Sequence, residues 1–361
     1  MAKFTDIFED VTKQGTKIPT NLYLTSGTYP IIDQGQAQIA GYTNDSHGLF
    51  TDVPAIIFGD HTRIIKYVDT PCFLGADGVK LLKAKCPNAN YKFLYYALCS
   101  ANIPNTGYNR HFKWLKEIEI REYSFDEQIA IVDKLDKIEY LINKRKEQLA
   151  KLDKLVKSRF IEMFGDTELN PYSWEKATLG TICDVRDGTH DSPQYYETGY
   201  PLVTSKNVTG GKIDMTDCSL ICEADFKKIN ERSKVDIGDI IMPMIGTVGK
   251  PVIVDIEPEF AIKNVALIKF KIDTSVLNTY IQSLLQSDYF DKAVISKVRG
   301  GTQKFISLGD IRKLEILVPP IELQNQFASF VEQIDKSKLA IQQSLEQLET
   351  LKKSLMQKYF G

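Results

Sequence analysis

The sequence predicts an α+β protein built as a pseudo-two-fold internal repeat. Two mixed α/β domains are each followed by a long helix, and the two helices are expected to bury their seams against each other as a coiled coil. Three observations predict this. A stretch of chain recurs at a fixed offset, both copies carry a heptad-like apolar seam, and the same order of strand-like and helical runs precedes each copy.

The repeat has an offset of 196 residues, carrying Phe164-Gly165 onto Phe360-Gly361. The match runs back without a gap to Glu119-Ile120, which falls on Glu315-Ile316, and includes Gln128 on Gln324, Leu149 on Leu345 and Lys157-Ser158 on Lys353-Ser354. Ser124-Phe125-Asp126-Glu127 is a capping box that starts the first helix, and Pro319-Pro320 suits the start of the second. Neither helix contains an internal Pro or Gly, and the closing glycine suits a C-terminal stop. The first seam is Ile131, Leu135, Ile138, Ile142, Leu149, Leu152, Val156 and Met163. The second is Phe327, Val331, Ile334, Ile341, Leu345, Leu348, Leu355 and Tyr359, and Arg145, Lys338 and Lys352 interrupt the two. Each helix of roughly forty residues would be about 60 Å long.

In the first globular part, Ala55–Phe58, Arg63–Val68 and Gly78–Leu82 are strand candidates, with a helix around Tyr91–Ser100. In the second, Asp239–Met242, Pro251–Val254 and Ala266–Phe270 play that role, with a helix over Leu277–Phe290. The domain plan is therefore residues 1–123, a helix over 124–165, residues 166–318, and a helix over 319–361.

Composition narrows the function. Formal net charge is −2, with 13 basic and 12 acidic side chains in residues 1–125 but 18 and 22 in residues 166–321. A free-standing nucleic-acid binder is normally more basic, so positive charge must be concentrated locally or supplied by another subunit. No apolar run approaches the ~18 residues that span a bilayer, and Asp6, Glu9 and Asp10 do not suit a signal peptide, which points to the cytoplasm. The six cysteines form no C-x-x-C pair and read as free thiols; a zinc site through Cys218 and Cys222 has nothing nearby to complete it. No phosphate-binding loop is present, and Asn170-Pro171-Tyr172 lacks the second proline of an amino-methyltransferase loop. No catalytic residue, metal site or cofactor is expected.

Three signatures carry a resemblance to a family. Pro171-x-x-Trp174-x-x-x-x-Leu179-Gly180 opens the second domain. Gly300-Gly301-Thr302-Gln303-Lys304-x-Ile306-Ser307, followed by Ile311-x-x-Leu314-x-Ile316-x-Val318-Pro319-Pro320-x-x-x-Gln324, closes it. Phe58–Arg63, Gly75–Gly78 and Gly107–Phe112 lie in the first domain. Together with the helices, this ordered set resembles the specificity subunit of type I restriction-modification systems. The resemblance implies two target recognition domains, each reading one half of a split sequence in double-stranded DNA. It implies long helices that pair as an antiparallel coiled coil, set the spacing and dock two modification subunits, which methylate adenine, with restriction/translocase subunits joining the assembled complex. The chain itself would be non-catalytic. Two departures stand out: the first domain lacks the Pro-x-x-Trp opening, as if its start were shortened, and Met244 stands where relatives commonly carry a basic residue.

Base reading needs donors and acceptors on loops. The first domain offers Gln34, Gln36, Gln38, His61, Arg63, Asn109, Arg110, His111 and Lys113. If extended, the three alternating glutamines face one side, toward DNA or merely toward water. The second domain offers Arg186, His190, Lys206, Asn207, Thr247, Lys250, Arg299, Gln303 and Lys304. Tyr195-Tyr196 reads as a core or rim pair more than as a base-stacking one. The rival to DNA recognition is a non-catalytic coiled-coil interaction module, which explains the weak charge but not the loop signatures.

Overall fold

The structure is a computed structural model that describes residues 1–75, 77–245, 249–271, 273–295 and 305–361. Two compact units emerge, one formed by Met1–Glu147 with Gln342–Gly361 and the other by Gln148–Ile341.

The first head runs β1 (Ala2–Lys3), α1 (Phe4–Ile7), β2 (Phe8–Asp10), β3 (Tyr29–Ile32), β4 (Gly41–Thr43), β5 (Ala55–Gly59), β6 (Ile65–Val68), β7 (Phe73–Leu74), β8 (Val79–Ala84), α2 (Tyr91–Ser100), α3 (Phe112–Leu115) and β9 (Glu119–Ile120). Helix α4 (Phe125–Phe164) follows. The second head runs β10 (Glu175–Thr178), α5 (Leu179–Ile182), β11 (Asp184–Asp187), β12 (Tyr200–Val203), β13 (Val208–Thr209), β14 (Lys212–Ile213), β15 (Ser219–Ile221), α6 (Glu223–Ser233), β16 (Ile240–Pro243), β17 (Val252–Ile253), β18 (Ala261–Ile262), β19 (Val265–Lys269), α7 (Asn278–Leu285), α8 (Asp288–Ala293), α9 (Leu308–Arg312) and β20 (Glu315–Val318). Helix α10 (Ile321–Phe360) ends the chain.

The heads share one topology. Sheet order β2-β8-β5-β6 in the first is matched by β11-β19-β16-β17 in the second, and β4-β3-β7 by β15-β12-β18. The pair β1-β9 is matched by β10-β20. The hairpin β13-β14 and helices α6 and α8 are additions of the second head.

Strand β5 shows why the sheets form where they do. Its residues are all buried, and they alternate: Ile56 and Phe58 enter the core with α2, whereas Ala55 and Ile57 enter a second core with Leu74 and Leu81. A period of two with both faces covered gives an unbroken apolar run. Strand β16 repeats this, sending Ile240 and Met242 to one core and Ile241 to the other. Each such buried side chain stabilises by about 1.5–3 kcal/mol.

The capping box forms, with the Glu127 amide donating to Ser124 Oγ at 3.3 Å and the Ser124 amide to the Glu127 carboxylate at 2.8 Å. In the second copy Pro320 precedes the helix instead of opening it. Gln324, fully buried, accepts from the Leu277 amide and donates to the Ser275 and Pro319 carbonyls, so one glutamine ties the helix start to the head.

Within the first unit Glu139 pairs with Lys352, and Lys146 with Glu349 at 3.1 Å. One helix counts up as the other counts down, so they are antiparallel. Within the second unit Lys338, an interruption of the seam, reaches Asp153 at 2.7 Å. All sixteen seam positions are buried or half-buried. Aromatic ends lock each half: Phe93 meets Phe360 in the first unit, and Tyr280 meets Phe160 and Phe164 in the second.

Two expectations need correction. The single helix over Leu277–Phe290 is two helices, because Ser287 caps a new one by accepting from the Phe290 amide. Gln34, Gln36 and Gln38 lie in a bend, not a strand, so their alternation places them on no common face.

Candidate nucleic-acid interface

In the first unit four loops meet around the turn between β5 and β6. The His61 amide donates to Gln34 Oε1 at 3.2 Å, and Gln34 Nε2 donates to the Asp77 carbonyl at 3.2 Å. Thr62 Oγ1 donates to the Gln34 carbonyl at 2.6 Å. Gln34 therefore holds the loops together. Lys66, whose side chain is almost fully buried, supports the same bend from beneath by donating to the Ala37 carbonyl at 2.6 Å, with Asp33 at 3.4 Å. Burial pulls its pKa down and Asp33 opposes that pull. Gln38 donates to the Tyr67 carbonyl, while Gln36 is exposed.

The loop before α3 joins this cluster. Asp60, buried, accepts from the Phe112 amide at 2.7 Å, and its carbonyl accepts from the His111 amide at 2.8 Å and His111 Nδ1 at 3.0 Å. His111 Nε2 lies 3.3 Å from Thr106 Oγ1. His111 is fully buried, contrary to its expected place on an exposed loop. A ring with both nitrogens engaged in the interior positions the loop and presents nothing outward. Asn109, exposed, donates through Nδ2 to the Thr106 carbonyl within its own loop. Arg63 adopts φ 63° and donates to the Ile103 carbonyl at 3.2 Å, which anchors the start of the same loop. Arg110 and Lys113 are exposed; Lys113 lies over the Trp114 ring, and Arg110 makes no ion pair among the described residues.

Sequence reasoning missed Tyr108. Its ring is 88% exposed and stacks on His61 at 4.7 Å between centroids and 9° between planes. The two residues are far apart in the chain, and only the turn geometry brings them together.

The second unit arranges its loops differently. His190 Nδ1 sits 2.9 Å from Asn264 Oδ1, and Nε2 sits 2.9 Å from Asp187 Oδ2. The hydrogen bond to Asn264, then that to Asp187, raises its pKa above the ordinary value. Arg232 closes on the other oxygen of Asp187. Both nitrogens of His190 are thus committed. Arg186 is paired with Asp184 at 2.6 Å and donates to the Arg232 carbonyl. That pairing holds the Asp184 carboxyl below its usual range. Asn207 is buried and organises a turn through Thr204 and Asp214, contrary to its expected exposure. Lys206 and Lys250 are exposed and make no ion pair among the described residues. Lys263, not singled out from sequence, donates to Ser192 Oγ at 2.8 Å beside this network. Tyr195 and Tyr196 are exposed. Thr247, Arg299, Gln303 and Lys304 lie outside the described residues. Their flanks meet, since Ile245 bridges to Phe305 and the Ile306 amide donates to the Met244 carbonyl. Met244 itself is buried in the apolar core.

Among the described residues, no cluster of His, Cys, Asp and Glu could hold a metal ion, and no helix is long and apolar enough to cross a membrane. Cys218 and Cys222 contact Asp214 and Asp225 respectively and do not converge. Burial pushes the Cys72 thiol up to about 11 and Cys183 up to about 12.

Comparison with known proteins bears on these surfaces. The family described as type I restriction modification DNA specificity domain matches residues 1–151 and 171–350. The chain is 28% identical over 272 residues to the type I restriction enzyme MjaIX specificity subunit of Methanocaldococcus jannaschii, covering 68% of this chain and 60% of that protein. It is 22% identical over 259 residues to the EcoKI specificity subunit of Escherichia coli, covering 65% and 55%. The chain thus spans little more than half the length of these relatives. In fold it is similar to a type I restriction-modification S subunit from M. genitalium, with a TM-score of 0.57 at 19% identity over 99% of this chain and 95% of that one.

Proposed function

We propose a function on one premise: the chain belongs to the type I restriction modification DNA specificity family, whose pattern covers both halves. The chain reads DNA for such a system and leaves the chemistry to other subunits. Residues 1–123 and 166–318 each read one half of a split site in double-stranded DNA. Residues 124–165 and 319–361 set the spacing between the halves and dock two methyltransferase subunits, to which restriction and translocase subunits add in the full complex.

One observation carries this reading: the same strand order occurs twice, and the two copies carry differently built loops. A repeated scaffold with divergent loops is what reading two different half-sites requires, since rigid elements position the loops and loops supply specificity. The surface residues proposed to face DNA are Gln36, His61, Arg63, Arg110 and Lys113 in the first domain. In the second they are Lys206 and Lys250; Thr247, Arg299, Gln303 and Lys304, which lie outside the described residues, are proposed from sequence alone. Exposed lysines and arginines serve phosphates, and the remaining donors and acceptors serve base edges.

The test is genome-wide mapping of modified adenines with and without the gene for this chain. A split motif that disappears on deletion is expected. Adenine modification that is unchanged by deletion refutes the reading and favours a plain interaction module.

A further inference from the structure

The stacked pair of half-buried His61 and exposed Tyr108 is a polar-aromatic unit of the first loop cluster whose hydrogen bonds leave a reading atom open. His61 Nδ1 lies 3.2 Å from the Asn109 carbonyl. A carbonyl oxygen only accepts, so Nδ1 carries the proton. In the neutral ring Nε2 is then a bare acceptor, and among the described residues it has no hydrogen-bond partner. The ring is also fixed in direction. Tyr108 covers one face, and Gly78 lies against its edge so closely that an added Cβ would meet His61 Cδ2 at 2.7 Å and Gln34 Nε2 at 2.5 Å. Gly78 has φ +80°, a conformation glycine alone adopts without strain. Gln34 holds the His61 backbone from behind.

We propose that His61 Nε2, clamped under Tyr108, is a base-reading acceptor that selects, on the strand it faces, a base presenting an exocyclic amine in the major groove. Only adenine N6 and cytosine N4 offer such a donor there; guanine and thymine present acceptors at the corresponding edge. The element therefore demands adenine or cytosine at one position of the half-site read by residues 1–123. Tyr108 acts as a positioning residue that keeps the imidazole upright. This assignment rests on the DNA-reading function proposed above.

The experiment uses the assembled methyltransferase and duplexes that differ by single base pairs across the half-site, together with duplexes in which one adenine is replaced by purine, which lacks the 6-amino group, or one cytosine by its 4-deamino analogue. Wild-type complex is expected to lose about tenfold in affinity at one position when the amine is removed, the scale of a single lost base contact. His61→Ala is expected to bind both duplexes equally at that position and to leave the other half-site unchanged. Tyr108→Ala, at a site too exposed to disturb folding, is expected to blunt the same discrimination. If both variants discriminate as wild type does at every position, or lose affinity uniformly across sequences, the proposal falls. If the wild-type complex itself shows no preference for any half-site, it is the DNA-reading function that fails.

Discussion

In the first head the chain leaving β5 is fastened to the turn before α3 by Asp60 and His111; in the second, the matching residues are Met244 and Ile306. The backbone bond is the same in both, the His111 amide to the Asp60 carbonyl at 2.8 Å and the Ile306 amide to the Met244 carbonyl at 2.9 Å. The side chains are opposite in kind. One joint is a buried polar network and the other is part of an apolar core. The fold asks only for the backbone bond and a filled interior, so sequence can diverge completely at a conserved joint of the topology. The loop histidines of the two heads also differ. His190 spends both nitrogens inside its own loops, whereas His61 spends one.

The largest test of this contrast is Asp60→Ala. It strands the buried Phe112 amide and should cost about 2–3 kcal/mol, whereas the volume-conserving Met244→Leu should cost under about 1.5 kcal/mol. Chemical denaturation of the two variants checks this, and equal losses would erase the distinction between polar and apolar joints. Next is Gly78→Ala, which forces a side chain into a left-handed backbone against Gln34 and His61. A cost of about 1–2 kcal/mol is expected, with a larger loss of DNA affinity than of stability.

A smaller effect separates the histidines by pH. His190 has a raised pKa in the folded state, so its contribution to stability is full below about 6.5, its unfolded value, and fades as pH rises through the folded value. Its ring is largely exposed, so the slope is shallow. An NMR titration of its ring protons should place its midpoint above the ordinary value, and Asn264→Ala should bring it down; an unmoved midpoint would mean the Asn264 contact is not made in solution. Smallest is Arg110→Ala. It should weaken binding evenly across sequences and reduce the slope of log affinity against log salt by about one. An unchanged slope removes Arg110 from the phosphate contacts.

The long helices were legible because their constraint is periodic and local: the offset of 196, the capping box and the seams all survive as residue patterns. The equivalence of the heads was legible only as an order of runs, since Ile56 and Ile240 satisfy the same two-sided burial while their neighbours differ. The loop residues were read least well. Alternation over Gln34–Gln38 mimics a strand, but Lys66 pulls that stretch into a bend. His111 looked like a loop donor because its partner Asp60 lies 51 positions away, and Tyr108 was passed over for the same reason. Contacts between distant loops leave no local period to find.

The central claim is that each head reads its own half of a split site. Adenine-modification maps should therefore be compared for cells carrying wild-type chain, a His61→Ala variant and a Thr247→Ala/Gln303→Ala variant, which remove proposed base-edge contacts of one head each, in the presence of methyltransferase subunits. The account predicts that the first variant relaxes or removes one half of the motif and the second variant affects only the other half. Maps in which either variant alters both halves together would contradict it.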